Sequence, residues 1–73
     1  MLRKTGIQAM YINRIRDLQK VNAEYENLID RRSLGEDVED ELGENIAEGS
    51  KLDTEISILR QILGDDVPEV HKP

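Results

Sequence analysis

Residues 31–50 read RRSLGEDVEDELGENIAEGS, a run in which seven carboxylates and no basic side chain lie between Glu36 and Glu48. One helical pattern ends here and another begins. Arg31 and Arg32 suit the end of a helix, where the macrodipole favours cations. Ser33-Leu34-Gly35-Glu36 has the spacing of a capping box, and Glu36 and Asp37 suit the first turn of a new helix.

Upstream of this junction, Tyr11, Ile15, Leu18, Tyr25 and Ile29 recur at helical spacing, with Asn22 in the remaining position of the stripe. No proline interrupts them, and Thr5-Gly6-Ile7-Gln8 offers an initial capping box. The pattern predicts helix 1 over about residues 6–32, after an N-terminal arm at 1–5. Downstream, Val38, Leu42, Asn45, Gly49, Leu52, Ile56, Leu59 and Leu63 form a second stripe, which Gly64 and Pro68 terminate. Helix 2 is therefore expected over about 34–63, with a flexible, extended tail at 65–73. Gly43 and Gly49 each cost roughly 0.5–1 kcal/mol relative to alanine, so a kink at 43–49 is the alternative to one continuous helix. Ser50-Lys51-Leu52-Asp53 would then cap the restarted helix.

Folding the chain at Ser33 brings the two stripes face to face. Ile29 meets Val38, Tyr25 meets Leu42, Asn22 meets Asn45, Leu18 meets Gly49, Ile15 meets Leu52 and Tyr11 meets Ile56; every pair of numbers adds to 67. Two facing asparagines would satisfy each other and set the register of an otherwise apolar seam. The same register places Arg14 near Glu55. The expected fold is all-α, an antiparallel, coiled-coil-like helical hairpin.

More apolar surface is present than one seam needs. Ile7, Val21, Leu28 and Ile62 flank the stripe on one side and Ile12 and Ile46 on the other, with Ile58 further round. Seventy-three residues lie near the lower limit for independent folding, and the chain has no Phe, Trp or Cys. Disulfides and zinc–thiolate sites are thereby excluded. Burial by another chain is the remaining route to stability, and dimerisation into a four-helix bundle through Ile7, Val21, Leu28 and Ile62 would provide it. Binding to a larger protein would do the same.

Charge divides the chain. Residues 1–32 hold seven Lys/Arg and four Asp/Glu, a net +3; residues 33–73 hold three and twelve, a net −9. On helix 2, Asp37, Glu41, Glu44 and Glu48 would form a line of carboxylates. Such a line solubilises a small bundle, and it can also imitate phosphates toward a basic partner protein. A calcium loop of the D-x-[DN]-x-[DN]-G type is absent, and His71, with Asp65 and Asp66 nearby, stands in the tail.

Catalytic chemistry has few candidates. No Cys is present, the one His is terminal, and Ser33, Ser50 and Thr5 are accounted for as caps. Gly35, Gly43 and Gly49 match no phosphate-binding loop. Neither catalytic nor cofactor or metal residues are expected. Direct nucleic-acid binding is disfavoured by the net charge of −6, and the basic side chains Arg14, Arg16 and Lys20 spread around helix 1. No apolar run approaches the roughly 20 residues that span a bilayer, and the first residues lack a signal peptide's apolar region. The reading is a non-enzymatic, cytoplasmic, self-associating regulator or inhibitor that acts on a partner protein. A structural or chaperone-like assembly subunit, or an acidic nucleic-acid mimic, is the alternative.

Overall fold

The computed structural model of the protein describes residues 3–70. Two helices, α1 (Lys4–Ser33) and α2 (Glu39–Leu63), pack against each other as an antiparallel hairpin, followed by a single 3-10 turn, Gly64–Asp66. No strand occurs among the described residues. The hairpin is elongated, with extents of 48 × 22 × 16 Å.

The connection differs from the expected capping box. Ser33 is the last residue of α1, and its hydroxyl donates back to the Asp30 carbonyl. Gly35 adopts φ 97°, its N–H donates to the Arg32 carbonyl, and the Glu36 N–H donates to the Arg31 carbonyl. This is a Schellman termination, which uses the left-handed residue that Gly35 supplies. An apolar contact usually accompanies that motif, but here Arg31 and Glu36, at the two positions concerned, form an ion pair. Helix 2 consequently starts five residues later than predicted. Asp37 belongs to the connection, where its Oδ1 accepts the Glu39 N–H. Val38 is the residue before α2, and its side chain is buried.

Helix 1 begins at Lys4, so Thr5 lies inside the helix and no side chain caps its start. Helix 2 runs unbroken through Gly43 and Gly49, and the kink considered at 43–49 is absent. A methyl group at Gly43 would meet nothing within 4 Å, whereas at Gly49 it would lie 3.6 Å from Val21 Cγ1. Packing accounts for a small residue at Gly49 but not at Gly43.

The core has two centres. Near the connection, Leu28, Val38 and Leu42 are buried together with Ile29 packed beside them. Toward the open end, Tyr11 is buried with Ile56, Leu59 and Leu63, and Arg60 Nε donates to the Tyr11 hydroxyl at 3.2 Å. Between the two, Leu52 is buried. Tyr11 and Ile56 do share a core, and the predicted Arg14–Glu55 ion pair is present.

The rotation of α1 about its own axis departs from expectation. Leu28, assigned to a surplus outer row, is 1% exposed in the hairpin core, while Tyr25, assigned to the seam, is 41% exposed. Ile7 and Val21, from the same outer row, are half-buried; Ile7 packs on the Tyr11 cluster. Of that row only Ile62 remains exposed. The apolar arc of α1 is wide enough to present either row, and the observed rotation buries Leu28 against Val38 and Leu42. Arg14 reaches Glu55, and Arg31 reaches Glu36 and Glu41.

The C-terminal segment is also not a free tail over its described part. Val67 and Val70 pack on the Tyr11 cluster, and Gln8 Nε2 donates to the Asp66 carbonyl at 2.8 Å. Asp66 pairs with Lys4 at 3.4 Å, which brings a carboxylate to the N-terminus of a helix whose own first turn has no acid. His71 lies outside the described residues.

Candidate functional site

The acidic run is sorted by its neighbours. Arg31 and Arg32 close α1 and sit against the negatively charged start of α2. Arg31 Nε pairs with Glu36 at 3.3 Å, Arg31 Nη1 with Glu41 at 3.2 Å, and Arg32 with Glu39 at 3.7 Å. Glu36 first, and then Glu41, raise the Arg31 guanidinium pKa above its ordinary value. These contacts join the two helices at the turn, and three of the seven carboxylates are committed to them.

Glu44 and Glu48 have no such partner among the described residues. With Glu41 they line a shallow groove whose opposite wall is Glu24 of α1, and whose floor is Val21 and Asn45. The predicted line of Asp37, Glu41, Glu44 and Glu48 is thus reduced at its N-terminal end. Asp37 is in the connection and Glu41 is ion-paired, but Glu24 adds a carboxylate from the facing helix that spacing along one helix does not reveal.

Asn45 separates the two sides of the molecule. It is 8% exposed, and its Nδ2 donates to the Val21 carbonyl at 3.0 Å, not to Asn22. Asn22 itself is exposed. The expected register pair is therefore a side chain-to-backbone contact, still between the helices and still near the expected level. No buried side-chain polar atom among the described residues lacks a hydrogen-bond partner.

Across the seam from the three glutamates lies a second groove, lined by Leu18, Asn22 and Tyr25 of α1 and by Ile46, Gly49, Ser50 and, at its edge, Asp53 of α2. Val21 and Asn45 form the floor of both grooves. Ile46 is 59% exposed there. The molecule thus has, at the same level of the hairpin, one side lined by four glutamates and another that is largely apolar, with Asp53 as its one carboxylate.

No group of three or more His, Asp or Glu side chains among the described residues is arranged to hold a metal ion. No described helix is long and apolar enough to cross a membrane. Comparison with family models, characterised proteins and solved structures finds no match to this chain.

Proposed function

We propose that this protein is a non-enzymatic interaction module, a small regulator or inhibitor that binds a basic partner protein through the groove of Glu24, Glu44 and Glu48 and self-associates through its apolar surface into a four-helix bundle. The observation that carries the reading is that these three carboxylates, from two helices, converge on one groove with no cationic partner among the described residues, while Glu36, Glu39 and Glu41 at the turn are ion-paired. Unpaired carboxylates converging on one groove attract Lys and Arg side chains, and the attraction weakens as salt screens it. A partner that normally binds nucleic acid would fit, because the groove offers its basic surface an alternative to phosphates. An assembly subunit is the second reading, favoured by exposed Ile58 and Ile62 together with Ile46, which a larger complex would cover.

Binding to an immobilised arginine-rich peptide, followed across a salt series, tests the groove. Glu24→Gln, Glu44→Gln and Glu48→Gln together should weaken binding by roughly tenfold or more while helicity is retained. A control that neutralises Asp40, Asp53 and Glu69 removes the same charge elsewhere and should bind nearly as well as the parent. Equal losses in the two variants would reduce the groove to net charge and sink the proposal.

A further inference from the structure

The apolar groove lies on a longer face that suits a defined occupant. On α1 the row Ile15, Asn22 and Ile29 recurs every seven residues, with Leu18 and Tyr25 between it and α2. Arg16, Ala23 and Asp30 each follow that row by one residue and form its outer rim. Among the described residues neither Arg16 nor Asp30 has an ion-pair partner. The rim is basic at one end, acidic at the other and small in the middle.

We propose that a second copy of this chain covers this face, related by a twofold axis that passes beside Asn22 and Ala23 of α1 and beside Ile46 of α2. Such an axis lays α1 antiparallel on α1 of the second copy. Arg16 then meets the second copy's Asp30, and Asp30 meets its Arg16, so one charge complementarity is used twice. Ile15 meets Ile29, Leu18 meets Tyr25, and Gln19 meets Glu26 in the same register. The hairpin's own register supplies an independent agreement. Val21 lies level with Asn45 and Gly49, so an axis beside residues 22 and 23 of α1 crosses α2 near Ile46. Ile46, exposed in the single hairpin, would face its own copy.

Surface area points the same way. The chain exposes 5654 Å². A compact monomer of 8.4 kDa would expose about 4,600 Å², and a standard interface removes about 800 Å² from each partner. The elongated hairpin therefore carries an excess of the size a dimer covers. At the open end Val67 and Val70 already pack on the Tyr11 cluster, so the contact is confined to about residues 15–30 of α1 and the middle of α2.

This inference deepens the self-association in the reading above and assigns it to the Ile46 side, away from Ile62. The chain has no cysteine, so single cysteines report the geometry directly. In oxidising buffer Ile46→Cys should form a disulfide-linked dimer in high yield, whereas Ile62→Cys, equally exposed, should remain monomeric on a denaturing gel. Sedimentation equilibrium supplies the second test. Arg16→Glu should weaken the dimer roughly tenfold or more, and adding Asp30→Arg should restore it, because the pairs re-form with reversed sign. Helicity of each variant confirms that the hairpin is intact. A parent chain that stays monomeric at millimolar concentration, cross-linking through Ile62→Cys but not Ile46→Cys, or an unchanged mass for Arg16→Glu would each overturn the proposal. Those results would leave the carboxylate groove's binding to the arginine-rich peptide, measured separately, unaffected.

Discussion

Gly35 and Gly43 show how much one residue type depends on place. Gly35 holds φ 97°, a region that costs an L-residue roughly 1–2 kcal/mol, and it terminates α1. Gly35→Ala should lower the urea midpoint by that amount of stability. Gly43 is helical, exposed and unopposed, so Gly43→Ala should stabilise the chain by about 0.5–1 kcal/mol and raise the melting temperature by a few degrees. The asparagines separate in the same way. Asn45→Ala removes a part-buried interhelical hydrogen bond and should cost about 1 kcal/mol, while Asn22→Ala should leave the single hairpin's stability nearly unchanged. A double-mutant cycle under conditions where the chain is monomeric should show coupling below about 0.5 kcal/mol, since the two side chains do not touch. Marked coupling would mean that they face each other after all.

At the scale of elements, neither helix is stable through its own propensities alone. Helix 2 contains two glycines and a dense run of acids, yet continues because Val38, Leu42, Leu52, Ile56, Leu59 and Leu63 bury one face along its whole length. The central test of that packing is Leu28, which sequence spacing placed outside the seam. Leu28→Ala should cost about 2–5 kcal/mol and be seen as a large drop in the chemical-denaturation midpoint, whereas Ile62→Ala should cost far less. The C-terminal segment is a third packing element despite its short length. Val67→Ser with Val70→Ser should destabilise the open end by about 1–3 kcal/mol, read as faster amide exchange around Tyr11 than around Leu28. Uniform acceleration at both core centres would contradict a local role for the segment.

The whole molecule sorts its charge by pairing. The ends of the two helices meet with opposite charges, so Arg31 and Arg32 neutralise Glu36, Glu39 and Glu41 where the chain turns. In the middle, Glu24, Glu44 and Glu48 gather on one side of the seam, and the other side is largely apolar with Asp53 at its edge. A self-associating hairpin with that division should have a melting temperature that rises with protein concentration and is retained in high salt, because apolar burial is not screened. Binding through the carboxylate groove should instead fall with salt. The two salt responses therefore have opposite expectations in one protein, and a common salt dependence would mean that a single surface serves both roles.

Helical periodicity, the absence of internal proline and the polarity of the turn determined the two helices, their antiparallel packing and their approximate level. Those features follow from local geometry: spacing along one chain records which residues share a face. The Arg14–Glu55 pair was legible for the same reason, as was the shared burial of Tyr11 and Ile56. Tertiary structure decided the rotation of α1, because two adjacent apolar rows are equivalent until packing against α2, with Leu28 beside Val38 and Leu42 and Val21 beside Gly49, chooses between them. It also decided the meaning of Ser33-Leu34-Gly35-Glu36, whose spacing fits a helix start as well as a helix end. Only the packed structure joins Glu24 to Glu44 and Glu48. Their convergence depends on how the two helices are rotated against each other, and no spacing within one helix contains that quantity.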